Sequence, residues 1–180
     1  MRLALLTHEP FYPPSGGGSA EAVYLVNELT RRGHEVHLFC PEFPDRAAVA
    51  KRFGITVHLF TGWRMGRHTR LRSLKYVAYP GALRRLVRCA ARETAFDALL
   101  SQHAISAVAA GRLKADLGLP VVMNFLDLLT GFMESWPRWK MPRLLLRRLM
   151  AYELSLPKRH DADAVLTVSG ELARRFAETG

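Results

Sequence analysis

Pro13-Pro14-Ser15-Gly16-Gly17-Gly18-Ser19 joins a near-continuous apolar run, Arg2 to Thr7, to a segment in which Ala22, Leu25, Val26 and Leu29 recur at helical spacing up to about Arg32. The run before it has the character of a strand buried on both faces, as in a parallel sheet. In open α/β sheets ligands bind beyond the carboxyl ends of the strands, where a strand-to-helix loop of this kind lies. Gly16, Gly17 and Gly18 would let a backbone approach a phosphate closely, while the amides and dipole of the following helix supply donors and partial positive charge. Without its flanks, the same stretch is also a turn whose glycines only relieve strain.

The alternation continues along the chain. Gly33 ends the first helix, and strands are expected over His34 to Cys40, Ile55 to Phe60, Asp97 to Ser101, Val121 to Phe125 and Ala164 to Val168. Helices are expected over Ala104 to Leu117 and Arg143 to Lys158, with a basic helical segment before Asp97 interrupted at Pro80-Gly81. Ser169 reads as the cap of a last helix, with Glu171 where the helix dipole favours an anion. Parallel neighbours need crossovers of this length, so the pattern predicts an α/β fold: a Rossmann-like parallel sheet with helices on both faces.

A chain of 180 residues accommodates one such domain, and 49% hydrophobic with 23% charged residues is ordinary for a globular protein. Cys40 and Cys89 are too few and too isolated for a disulfide framework or a zinc site, and both are expected to be reduced, buried thiols. No apolar run approaches the roughly 18 residues of a membrane span, and Met1-Arg2 leads straight into a strand, so a cytoplasmic location without a secretory signal is expected. The net charge of +10 is the departure from the ordinary. Its excess is local: Thr61 to Arg92 holds nine Lys/Arg and no Asp/Glu, leaving 17 basic and 16 acidic residues elsewhere.

Several chemistries are disfavoured. The dinucleotide fingerprint G-x-G-x-x-G does not occur, the loop from His8 to Gly16 is longer than that tight turn, and Glu42 sits between Pro41 and Pro44 as in an ordinary loop. A Walker A lysine is absent, and no Cys/His pair has metal-ligand spacing, so no metal site and no cofactor are expected.

A set of motifs in order carries a resemblance. Pro13 to Gly17, the helix of Leu25 and Leu29, Arg32-Gly33-His34-Glu35-Val36, Phe96-Asp97-Ala98-Leu99-Leu100, Gly118-Leu119-Pro120-Val121-Val122 and Ala162 to Ser169 together resemble the N-terminal domain of family 4 glycosyltransferases. The resemblance implies the N-terminal half of a GT-B architecture, with residues 1–180 as the acceptor-side domain and a donor-binding C-terminal domain outside this chain. It implies retaining, metal-independent transfer of a sugar from a nucleoside-diphosphate donor to a hydroxyl acceptor. It places Gly16 and Gly17, with Gly18, near the donor diphosphate, and His103 at the cleft. His8 joins them by topology, whereas His34 belongs to a turn. After the fifth strand the family pattern ends in His-Asp; here Asn124-Phe125-Leu126-Asp127 puts Leu126 at the histidine position, leaving Asp127 as the match and Asn124 as a nearby polar candidate.

The charge supplies the last expectation. Tyr76, Tyr79, Leu83, Leu86, Val87 and Ala90 fall at helical spacing with Arg85, Arg88 and Arg92 on another side. Trp63, Arg64, Arg67, Arg70, Arg72 and Lys75 extend this upstream, pointing to an anionic membrane surface on the inner face and to a lipid-linked or membrane-proximal acceptor. The competing reading packs the stripe into the core and leaves the arginines solvated. Two other functions stay open: a noncatalytic glycosyltransferase-like binding domain, prompted by Leu126, and a basic nucleic-acid-binding Rossmann domain, for which no recognition motif is found and no nucleic acid is expected.

Overall fold

The structure is a computed structural model that describes residues 1–61 and 75–179. Six parallel strands form one sheet: β1 (Arg2–Leu6), β2 (Glu35–Pro41), β3 (Thr56–Phe60), β4 (Ala98–Gln102), β5 (Val121–Phe125) and β6 (Ala164–Thr167). Their spatial order is β3-β2-β1-β4-β5-β6, so the direction of winding reverses between β1 and β4. That reversal opens a crevice at the carboxyl ends of these two strands, where doubly wound sheets bind ligands.

Strand alternation divides the core. Ala4, Leu6, Phe39, Leu99 and Met123 face the helices α3 (Lys75–Ala90), α4 (His103–Leu117), α7 (Leu156–Arg159) and α8 (Gly170–Thr179). Leu5, Val36, Leu38 and Cys40 face α1 (Gly17–Arg31) and α2 (Arg46–Phe53). Gly33 at φ +80° and Gly118 at φ +67° end α1 and α4 in the left-handed conformation that an L side chain resists.

The sequence reading needs correction in four places. The helix α2 was not expected: only Val49 and Phe53, one turn apart, are buried on it, too short a stripe to stand out. Pro80 does not interrupt α3, because Tyr79, Pro80, Leu83 and Val87 are all buried along one side and the packing outweighs the lost hydrogen bond. The long helix expected from Arg143 divides into α6 (Arg143–Leu154) and α7, since Pro157 has no amide to continue the ladder and sits instead in the first turn of α7. Cys89 is exposed on α3, whereas Cys40 is buried and its thiol is pushed up to about 12 by desolvation.

The stripe on α3 also decides the reading of its charge. Tyr79, Leu83 and Val87 are buried in the core, with Leu86 and Ala90 packed against it, so this part of the stripe faces the core, whereas Tyr76 at its start is exposed. Trp63, Arg64, Arg67, Arg70 and Arg72 lie outside the described residues. Lys75 opens α3 with its ammonium 5.6 Å from the Tyr79 ring centre. No helix among the described residues is long and apolar enough to cross a membrane.

Candidate functional site

The glycine loop closes on itself before it meets the crevice. The Ser19 hydroxyl accepts hydrogen bonds from the amides of Ser15 (2.8 Å) and Gly16 (3.1 Å) and donates to the Gly16 carbonyl (3.1 Å). These bonds fix the entry into α1, whose first amides precede any intrahelical acceptor and face outward as donors. Gly16 and Gly17 are exposed, with nothing within 4 Å of where a side chain would begin. Gly18 differs: a Cβ there would lie 2.7 Å from Glu9 Oε2 and 2.7 Å from His103 Nε2. Its lack of a side chain is what lets the first turn of α1 approach both groups.

His103 follows β4 directly, as the first residue of α4, at φ +63°, a conformation that is costly for a residue with a Cβ. The turn holds its buried ring against His8, edge to face, with centroids 5.4 Å apart. On the opposite edge, His103 Nδ1 approaches Asp127 Oδ1 at 3.3 Å, without the alignment of a hydrogen bond. Burial, reinforced by repulsion from His103, lowers His8 to about 3, so His8 is neutral across the physiological range.

A carboxylate that the sequence reading missed completes the cluster. Glu21, on the first turns of α1, accepts a 2.7 Å hydrogen bond from Asn124 Nδ2 and a short one from Gln102 Nε2. Gln102 is fully buried and also donates to the Gly18 carbonyl at 3.1 Å. Gln102 and Asn124 are register partners at the ends of β4 and β5, so two adjacent amides pin α1 to the sheet through one acid. Burial raises the Glu21 carboxyl above its ordinary value, opposed by the Asn124 bond. The sequence signal was present in polar side chains ending apolar strands, at Gln102 and Asn124, but Glu21 is three residues beyond the glycines in sequence and only the helix brings it back.

The structure thus gathers His8, Gly18, His103, Asn124 and Asp127 at one crevice, adds Glu9, Glu21 and Gln102, and leaves Gly16 and Gly17 on its open rim. Leu126 is half-buried beside it. No group of three or more metal-ligating side chains is found among the described residues. The arrangement offers outward backbone donors for an anion, hydrogen-bond acceptors for hydroxyl groups, and an imidazole between two carboxylates.

This doubly wound sheet, with its crevice at the β1/β4 reversal and a glycine turn at the start of α1, has the Rossmann-like fold found in GT-B glycosyltransferase structures. Residues 15–180 match the model of Glycosyltransferase Family 4, and the chain belongs to that family. No curated protein resembles the sequence closely enough to match. Among solved structures, Anabaena Alr3699/HepE in complex with UDP is similar over 100% of this chain and 41% of its own, at 18% identity and a TM-score of 0.60. CalG4, the calicheamicin glycosyltransferase, is similar over 90% of this chain and 43% of its own (18% identity, TM-score 0.58). MurG of Acinetobacter baumannii covers 93% and 41% (14% identity, TM-score 0.51). The chain therefore spans about two fifths of each of these structures, and likeness at such identities shows the fold alone.

Proposed function

We propose that residues 1–180 form the acceptor-side domain of a retaining glycosyltransferase that moves a sugar from a nucleoside-diphosphate donor to a hydroxyl acceptor. The observation that carries this reading is the convergence, at the topological reversal of the sheet, of an open helix N-terminus at Gly16-Gly17 with the His8, His103, Asp127 and Glu21 cluster. Amides at the start of α1 stabilise charge on the departing diphosphate, and His103, Asp127 and the Asn124–Glu21 pair orient the acceptor and the sugar. Structures of HepE hold UDP, UDP with glucose, or UDP-glucose, which supports a nucleotide sugar as the donor here. The groups that grip most of the donor belong, in this reading, to a second domain outside the chain. The acceptor is membrane-proximal or lipid-linked, and the enzyme works peripherally at the cytoplasmic face.

The test compares the 180-residue chain with the full-length protein. The chain alone melts cooperatively and does not turn over, whereas the full-length protein transfers sugar with retained anomeric configuration, read by NMR of the first product. Turnover by the isolated chain at the full-length rate would overturn the division of labour. Leu126 at the family's histidine position favours a second, noncatalytic reading; full-length protein that binds donor without any transfer would support it.

A further inference from the structure

Beside the crevice lies a second, chemically different space. A half-open cavity of about 520 Å³ lies between α3, α4, α6 and the turn helix α5 (Gly131–Glu134), a size within the roughly 300–1,000 Å³ of ligand sites. Ile105, Val108, Leu129, Met133, Met141 and Leu149 give it apolar walls. Its acid is already occupied: the buried Glu153 carboxylate accepts hydrogen bonds from the Leu129 amide (2.7 Å), the Thr130 amide (3.0 Å) and the Thr130 hydroxyl (2.9 Å). Arg112, exposed on α4, is the other charged group on the lining, so the apolar walls suit hydrocarbon and the guanidinium suits an anionic head group.

The rim is suited to a charged surface. Trp136 and Tyr152 line the cavity and are 45% and 42% exposed, and Trp139 (79%), Leu144 (65%) and Leu145 (46%) continue the apolar surface over α6. Between Glu134 and Glu153 the chain carries five basic residues, Arg138, Lys140, Arg143, Arg147 and Arg148, and no acid. No ion pair joins any of the five to a carboxylate among the described residues. Exposed Trp and Leu among cations without carboxylate partners, Lys140 lying over the Trp139 ring at 4.9 Å, match the chemistry of an anionic lipid interface, where each basic group near the leaflet contributes about 1 kcal/mol.

We propose that the cavity beneath α6 receives the hydrocarbon chain of an anionic membrane lipid, with the Trp136–Tyr152 surface seated on the leaflet from which that lipid comes. Ala104, on the lining of the cavity, directly follows His103 of the crevice at the start of α4. The inference deepens the membrane-proximal reading above and rests on it for where the acceptor arrives.

Two binding measurements on the 180-residue chain test it. In flotation, the chain is expected to rise with phosphatidylglycerol vesicles and not with phosphatidylcholine vesicles, and Lys140→Ser, Arg143→Ser, Arg147→Ser and Arg148→Ser combined release it. In solution, farnesyl phosphate binds saturably while inorganic phosphate neither binds nor displaces it. Val108→Phe and Met141→Trp, each narrowing the cavity, weaken farnesyl phosphate by about tenfold or more, as expected if burial of about two methylene groups is lost, and leave flotation in place. Unchanged affinity in either narrowed variant with an intact melt, displacement by inorganic phosphate, or no binding by the wild-type chain overturns the proposal. Sugar transfer by the full-length protein to a water-soluble acceptor is read separately. Transfer without lipid binding removes this inference alone, and lipid binding without transfer removes the transferase reading alone.

Discussion

The helices α3 and α6 look alike in sequence and do opposite things in the fold. Both mix arginine with leucine and carry no acid in their first turns. On α3 Leu83 and Val87 are fully buried against α4 and the sheet, while Arg85 and Arg88 face out beyond them and Tyr76 and Val77 are exposed in its first turn. On α6 the single fully enclosed residue is the acid Glu153, while Leu144 and Leu145 stand exposed among Arg143, Arg147 and Arg148. A charge count therefore finds a basic segment without saying which of its faces is free. What lies opposite the apolar stripe decides that, and α3 has the sheet opposite where α6 has a hollow.

The sharpest way to break this contrast is to remove one leucine from each helix. Leu83→Ala is expected to cost about 2–5 kcal/mol in urea unfolding, whereas Leu144→Ala stays within about 0.5 kcal/mol. Equal losses would mean that α6 is packed in a way the structure does not show.

The same rule, that surroundings outrank residue type, separates adjacent glycines. Gly18→Val is expected to destabilise the fold by about 1–3 kcal/mol, because its Cβ would press on Glu9 and His103. Gly17→Val, facing open space, leaves thermal stability near wild type. If the two melt alike, the approach of α1 to His103 is looser than drawn.

A third comparison uses pH. His58, on the sheet beneath α3, stacks on Phe39 with centroids 4.4 Å apart and pairs with His37 at 3.1 Å; burial, aided by repulsion from His37, lowers it to about 4. The folded value lies below the unfolded one, near 6.5, so the unfolded chain takes up the proton first on acidification. Its stability contribution is full above pH about 6.5 and is lost as pH falls toward about 4. Glu153 under α6 titrates with the other sign. Burial raises its carboxyl, so its contribution is present below the ordinary glutamate range and is lost as pH rises through the raised value. His58→Phe flattens the acid limb of a stability–pH curve, and Glu153→Gln flattens the opposing slope; a curve unmoved by both would contradict these assignments.

The smallest expected effect concerns ion pairs. Arg84 on α3 holds Asp116 of α4 through bonds of 2.6 and 2.7 Å, whereas Arg147 on α6 has no carboxylate partner among the described residues. Asp116→Asn gives a small, salt-sensitive loss of stability, and Arg147→Ser gives none.

How much was legible follows from the range of the forces involved. All six strands and the ends of α1 and α4 are set by short apolar runs and by Gly33 and Gly118, local signals that tertiary contacts reinforce, and the last helix is announced by Ser169, whose hydroxyl accepts from the Leu172 amide at 3.2 Å. Pro80 misled because its penalty is local while the burial that overrides it comes from α4. At the crevice, His8 was readable because it directly follows the first apolar run, whereas His103, Asn124 and Asp127 were readable through the family pattern they match or adjoin. Glu21 was not, since its partners Gln102 and Asn124 are 81 and 103 residues away. The cavity beneath α6 was equally hidden, being a property of four helices and of no single stretch.

The central claim is that the open turn at Gly16-Gly17 meets the donor diphosphate of a sugar transfer. Its direct test is kcat/KM for sugar transfer by the full-length protein carrying Gly17→Val, alongside its melting curve. A side chain in that open space blocks the approach to the α1 amides, and loss of such donors predicts a fall of about a hundredfold or more with the melt unchanged. Activity near wild type would contradict the account.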